Sequence, residues 1–211
     1  MRAVLLDLYE TIAWTSKPQP PHRLSTQLGV RERDLYRAFD LTRSARGTGM
    51  FGSAEGDMAA VMRALGIEPD PPWVRELTRR HLELLAGRTH LYDDVLPVLR
   101  ELRAGGVRTA IISNCDHWTR PVLDRLGLEV AVDAVLLSFE IGVMKPNGEI
   151  YDMALDRVGV EPSEAVFVDD VVEYLDGAAA LGIRTLHIVR DGGASPPAEQ
   201  HATVRDLRAV L

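Results

Sequence analysis

Hydrophobic positions along the chain fall into two regimes. Near the N-terminus, Val4-Leu5-Leu6 runs without a polar break and stops at Asp7. A continuous apolar run predicts a strand buried on both faces, as in a parallel sheet. Lys17-Pro18-Gln19-Pro20-Pro21 then reads as a stiff, turn-prone linker. Beyond it the apolar spacing becomes helical, predicting helices over 22–28, 32–46, 53–65 and 72–86 with no strand between them. Leu35, Ala38, Phe39 and Thr42 recur on one helical face, and Met58, Val61, Met62 and Leu65 on another. Gly66 and Gly87 stand where helix C-caps belong.

From Tyr92 onward short apolar runs alternate with helical patterns. Strands are predicted over 109–114, 134–138, 165–170 and 185–189. Helices are predicted over 95–103, with Asp94 as N-cap, and over 119–126, 146–158 and 171–181. A loop at 192–197 and a short terminal helix over 203–211 complete the chain. This alternation implies an α/β fold: a Rossmann-like parallel sheet with right-handed crossovers and helices on both faces. The expected organisation is a core from 1–12 and 91–211, with a small all-helical insertion over 13–90.

Composition narrows the function classes. A chain of 211 residues with 46% hydrophobic and 26% charged content can bury an ordinary globular core. A formal net charge of -7 argues against a nucleic-acid partner. The single cysteine, Cys115, allows no internal disulfide and fits a reducing compartment. No stretch approaches the ~20 apolar residues that span a bilayer. The run before Asp7 is too short for a secretory signal. A cytoplasmic location without membrane attachment is expected.

In a parallel sheet the C-terminal strand ends share one edge, where open α/β folds bind ligands. Three predicted strands end in polar residues there: Asp7, Ser113-Asn114 and Asp169-Asp170. Lys145 precedes a predicted helix start at Pro146, and a lysine beside a helix N-terminus favours anions.

These segments, in this order, resemble the four motifs of the haloacid dehalogenase superfamily. Asp7-Leu8-Tyr9-Glu10-Thr11 resembles the nucleophile loop, Ser113-Asn114 the second motif, and Gly142-Val143-Met144-Lys145-Pro146 the third. Val166-Phe167-Val168-Asp169-Asp170, with Gly177 and Leu181-Gly182-Ile183, resembles the fourth. The resemblance spans essentially the whole chain and implies a strand order of three-two-one-four-five, with a helical cap inserted after the first motif. Asp7 would then neighbour Asp169 and Asp170, and Mg2+ would offset their mutual repulsion. The implied ligands are Asp7, the Tyr9 backbone carbonyl, Asp169 and Asp170. Asp7 is the implied nucleophile, Lys145 and Ser113 bind the oxygens of the reacting group, and Thr11 steadies the loop.

Two departures matter. The phosphatases of this superfamily usually carry an acid two residues after the nucleophile, and here that residue is Tyr9. Such an acid is typically worth about 10²–10⁴ in rate. Tyrosine at this position, together with Lys145 and Tyr151 six residues apart, resembles the 2-haloacid dehalogenases. The Asp169-Asp170 pair instead resembles phosphatases, as dehalogenases have small uncharged residues there and no metal. Tyr174 is the second departure, standing where many of the phosphatases have asparagine.

The favoured expectation is a magnesium-dependent phosphatase of a small anionic metabolite. The alternatives are a dehalogenase, or a low-turnover binding protein on the same fold. Tyr9, Asn114, Tyr151 and Arg46 are expected at the substrate, Arg46 from a glycine-rich turn over 43–52. Cys115, Asp116 and His117 read as a loop beside the site rather than a metal cluster, and Trp118 as a core or cap contact. Trp14 and Thr15 read as a hinge, and His22, His81, His90, His187 and His201 as surface or packing residues. A monomer or homodimer is expected.

Overall fold

The computed structural model describes residues 1–16, 20–190 and 200–211, with the backbone alone at 20–22. The first strand, β1 (Ala3–Leu6), leads through the Asp7 loop to β2 (Ala13–Thr15). Four helices follow: α1 (Pro20–Leu28), α2 (Glu32–Gly47), α3 (Ala54–Ala64) and α4 (Pro71–Arg88). The chain returns through β3 (Thr89–Leu91), α5 (Val95–Ala104), β4 (Arg108–Ser113), α6 (Arg120–Leu126), α7 (Leu128–Ala131), β5 (Ala134–Leu137) and α8 (Ser138–Ile141). It ends with α9 (Gly148–Val158), β6 (Ala165–Asp169), α10 (Val172–Ala179), β7 (Arg184–Ile188) and β8 (Ala202–Val204).

Six strands form one parallel sheet in the order β5-β4-β1-β6-β7-β8. The first five reproduce the expected order. β1 sits between β4 and β6, with Leu6 in register with Ile111 and Val168. Its alternating side chains feed two cores. Val4 and Leu6 join the core under α5, while Ala3 and Leu5 join the one under α9 and α10. Burial on both faces explains why this strand carries no polar residue before Asp7.

The four helices between β2 and β3 pack around their own apolar cluster, centred on Leu24, Leu35, Met58, Val61, Met62 and Leu77. Trp118, from the loop after β4, is buried in that cluster too. The segment is not purely helical. β2 and β3 pair antiparallel as a two-stranded ribbon, Trp14 opposite His90, through which the chain leaves and re-enters the sheet. Runs of three residues are too short for a periodic pattern to reveal them.

Other boundaries differ from expectation for local reasons. α4 continues through Gly87 to Arg88 instead of ending there. Asp94 makes no capping bond, because its carboxylate is drawn to Arg190. α9 starts at Gly148, with Asn147 accepting from the Glu149 N–H at 3.0 Å, rather than at Pro146. Ser138 opens α8 instead of ending β5. The expected terminal helix is replaced by β8 and a 3-10 turn, Leu207–Val210, whose Leu207 and Val210 seal the core under α5. The predicted loop at 192–197 and most of the proline-rich linker lie outside the described residues. Among the described residues, no helix is long and apolar enough to cross a membrane.

α10 lies against the segment after Lys145. A Cβ added at Gly177 would fall 2.6 Å from the Pro146 carbonyl oxygen, closer than real contacts allow. Gly177→Ala should therefore cost about 1–3 kcal/mol through overpacking. The check is a lower urea midpoint at unchanged slope; an unmoved midpoint would contradict this close approach.

Candidate active site

The strand edge assembles the predicted acids. Asp7 follows β1 directly, its N–H donating to the Val168 carbonyl at 2.9 Å, so it continues the ladder next to β6. Asp169 ends β6 and Asp170 follows it. One carboxylate oxygen from each of the three lies within 4.8 Å of the others. Lys145 is buried between two of them: its Nζ donates to Asp7 Oδ1 at 2.6 Å and to Asp169 Oδ2 at 2.6 Å. Asp169 Oδ1 accepts from the Val171 N–H at 2.8 Å.

Three carboxylates face one ammonium here. Burial works against the Lys145 charge, but Asp7 and Asp169 more than offset it and hold its pKa above the ordinary value. Burial and then the Asp7 charge push Asp169 up to about 7. The same two causes push Asp170 up to about 6. The site is short of positive charge. A small cavity of clustered carboxylate oxygens fits a hard divalent cation such as Mg2+.

Lys145 is aimed by Asn114. The Asn114 side chain accepts from the Lys145 N–H at 2.7 Å and donates to the Lys145 carbonyl at 2.8 Å. Both of its ends are thus occupied, and it also lines the cavity beside the Asp7 loop. The expectation that Tyr151 meets substrate is corrected. Its hydroxyl donates to the Tyr174 carbonyl at 2.7 Å and its ring is fully buried against Phe167. Ser113 ends β4, buried, beside the Cys115 thiol, which burial pushes up to about 12.

The loop carrying Asp7 turns sharply. Glu10 holds φ 58°, a left-handed conformation that costs a non-glycine residue roughly 1–2 kcal/mol. Two bonds to the Leu8 carbonyl, from the Ile12 and Ala13 N–H groups, secure the turn. Arg190 secures it from outside, donating through Nε and Nη2 to the Thr11 carbonyl at 2.9 and 2.7 Å. Its Nη1 pairs with Asp94 at 2.7 Å, and its guanidinium lies 4.2 Å from the Tyr92 ring centroid. Thr11 therefore anchors the loop through its carbonyl; among the described residues its buried hydroxyl has no partner.

On the insert side, Arg46 does not point free into the crevice as expected. It is 7% exposed, lies over the Phe39 and Trp118 rings, and pairs with Asp116. Asp57 of α3 accepts from His117, at 3.2 Å from its backbone N–H and 2.8 Å from Nδ1. The Trp118 Nε1–H donates to the Ala54 carbonyl at 3.1 Å. Residues 116–118 thus tie the sheet edge to the helices. Between them an open cavity of about 370 Å³ is bounded by Tyr9, Phe39, Arg46, His81 and Trp118. The Tyr9 hydroxyl lies 3.4 Å from Thr119 Oγ1, and burial lifts its pKa above the ordinary value.

The haloacid dehalogenase-like hydrolase family model matches residues 1–182. The chain belongs to this family. It is 29% identical over 203 residues to the glyceraldehyde 3-phosphate phosphatase of Methanopyrus kandleri, covering 90% of this chain and 84% of that one. It is 33% identical over 115 residues to (S)-2-haloacid dehalogenase 4A of Burkholderia cepacia, covering 54% of this chain and 49% of that one. Among solved structures, the HAD phosphatase from Thermococcus onnurineus superposes with a TM-score of 0.71 at 25% identity, covering 100% of this chain and 96% of that one.

Sequence reasoning missed one residue that holds this haloacid dehalogenase-like site together. Arg190 lies past the matched region, and an arginine at a strand end gives no signal until its partners are known. His81, read as a surface or packing residue, is a packing residue. It is 5% exposed, set edge-on to Trp118 at 4.6 Å, and borders the cavity. Burial and then the Arg46 charge lower its pKa to about 4. The folded state therefore binds fewer protons at this residue than the unfolded chain. His81 contributes stability that is present above about pH 6.5 and lost as pH falls toward about 4, on the order of 3 kcal/mol. His81→Leu should remove that slope, and Asp116, Asp169 and Asp170, whose raised pKa values act in the opposite direction, cancel in the comparison. Parallel pH–stability curves for the two proteins would refute the assignment.

Proposed function

We propose that this hydrolase is a phosphatase of small organic phosphate monoesters, with Asp7 as nucleophile and the insert acting as its cap. The observation that carries this reading is the surplus of carboxylate at the strand edge. Asp7, Asp169 and Asp170 crowd within 4.8 Å of one another around a single lysine. A bound Mg2+, held by these carboxylates and the Tyr9 carbonyl, would supply positive charge for phosphoryl oxygens. A 2-haloacid would bring a further carboxylate to the same edge.

Each residue then has a defined task. Lys145 holds Oδ1 of Asp7, leaving Oδ2 to attack phosphorus in line with the departing oxygen. The attack forms an aspartyl-phosphate and expels the alkoxide, which takes its proton from solvent; water then cleaves the acyl phosphate, releasing inorganic phosphate and restoring the carboxylate. Lys145 and the Ser113 hydroxyl counter charge on the phosphoryl oxygens. Tyr9 is a poor acid or base at neutral pH, because burial raises an already high pKa. Departing alkoxides therefore leave without a matched proton donor. The dehalogenase reading draws on Tyr9 itself, since halide needs no proton to leave. A cytoplasmic setting belongs to the same proposal and is supported by the lone cysteine.

Phosphate release from a panel of monoesters tests the reading. Asp7→Asn should lower turnover at least roughly 10³-fold with the fold retained, and EDTA should abolish it. Turnover surviving in both would remove the nucleophile and the cation from the mechanism. Halide release from 2-chloropropionate without phosphate release would install the dehalogenase instead.

Tyr9→Asp adds the missing acid. It should raise kcat for alkyl phosphates at least about tenfold while changing aryl phosphates, whose leaving groups need little protonation, far less. Equal gains on both classes would show that protonation does not limit the rate.

A further inference from the structure

The cavity beside the nucleophile loop has a charge balance that bears on substrate choice. Among the described residues that line it, the one cation is Arg46, and each guanidinium nitrogen already has a partner. Nε donates to Thr42 Oγ1 at 3.1 Å, Nη2 donates to the Phe39 carbonyl at 3.1 Å, and Nη1 pairs with Asp116. Asp116 cancels the Arg46 charge, and Glu10 at the rim leaves the lining with a surplus of one negative charge. His81 adds no cation, since burial keeps it neutral at physiological pH. The remaining walls are largely aromatic or aliphatic, with Tyr36, Phe39, Leu85 and Trp118 foremost.

We propose that this cavity selects phosphate monoesters whose organic part is uncharged and apolar or aromatic, and disfavours substrates that place a second anionic group there. The inference rests on the phosphatase reading and deepens it. The cavity adjoins the catalytic edge through Tyr9, two residues from the nucleophile, and through Asn114, which holds Lys145. The phosphoryl group would sit at the carboxylate cluster and the organic part in the cavity. A second anion would meet Glu10 and Asp116 with no free donor of positive charge, and a desolvated, unpaired charge is costly. Room is ample: a cavity of about 150 Å³ already takes a benzene ring, and this one measures about 370 Å³.

A matched pair of substrates decides it. Benzyl phosphate and 4-carboxybenzyl phosphate have alkoxide leaving groups of similar basicity and differ in the charge carried into the cavity. With Mg2+, kcat/KM for benzyl phosphate should exceed that for 4-carboxybenzyl phosphate at least roughly tenfold. Tyr36 borders the cavity and is 43% exposed, so Tyr36→Lys places an ammonium there with little risk to folding. That variant should shrink the ratio several-fold, mainly through KM for the carboxylated ester. Asp7-dependent phosphate release with a ratio near or below one, or a ratio untouched by Tyr36→Lys, overturns the inference and leaves the phosphatase reading standing. No phosphate from either ester or from glyceraldehyde 3-phosphate overturns both.

Discussion

The contact on which the site depends is the double hydrogen bond from Lys145 to Asp7 and Asp169. Two carboxylates at the ends of adjacent parallel strands repel each other, and the ammonium wedged between them relieves that repulsion. The sheet supplies the adjacency: β1 pairs with β6, so acids at their ends meet without any long loop. Asn114 supplies the aim, gripping the Lys145 backbone from the end of β4. Three strand ends and the segment before α9 thus converge on one ammonium. That ammonium falls short of neutralising them, and this shortfall makes the site a receptor for further positive charge.

The second constraint is the turn after Asp7. A chain leaving β1 must clear the sheet edge before entering the ribbon that leads to the helices. It does so with Glu10 in a conformation unfavourable to it. Arg190 offsets that cost by fixing the Thr11 carbonyl, and Asp94 and Tyr92 fix Arg190 in turn. The end of β7, the start of α5 and the loop of β1 are therefore one unit. Leu207 joins it, its N–H donating to Asp94 at 2.5 Å. The segment past residue 182 supports the Asp7 loop although the family model stops short of it.

What could be read from the sequence follows from what is periodic. Apolar runs located five of the six strands of the sheet, and helical spacing located the four inserted helices. The polar ends of those runs located Asp7, Asp169 and Asp170, because a sheet fixes where its strand ends lie, and Lys145 was located by its place before a predicted helix and by the third motif. Asn114 and Tyr151 were placed at the substrate by resemblance to the family's motifs, and Arg46 by its glycine-rich turn. Each turned out to have a protein partner: the Lys145 backbone, the Tyr174 carbonyl and the Asp116 carboxylate. Such pairings join residues far apart in the chain and leave no local pattern. β2, β3 and β8 escaped for a different reason, since three-residue strands take their conformation from their neighbours and not from their own alternation.

Tyr9 links the chemistry to the cavity. An aspartate there would stand in the wall of an apolar pocket that already holds the Glu10 and Asp116 charges, and a third carboxylate would have no cation left to pair with. Tyrosine fills the same wall with a ring, anchors its hydroxyl on Thr119 and adds no charge. The loss is the proton donor. Its consequence falls unevenly, heavily on poor leaving groups and lightly on good ones. On the phosphatase reading proposed above, such a site trades breadth of substrate for a cavity that holds an apolar group beside Asp7. A tyrosine in place of an acid and an arginine paired within its own protein both limit the unpaired charge in the space next to Asp7.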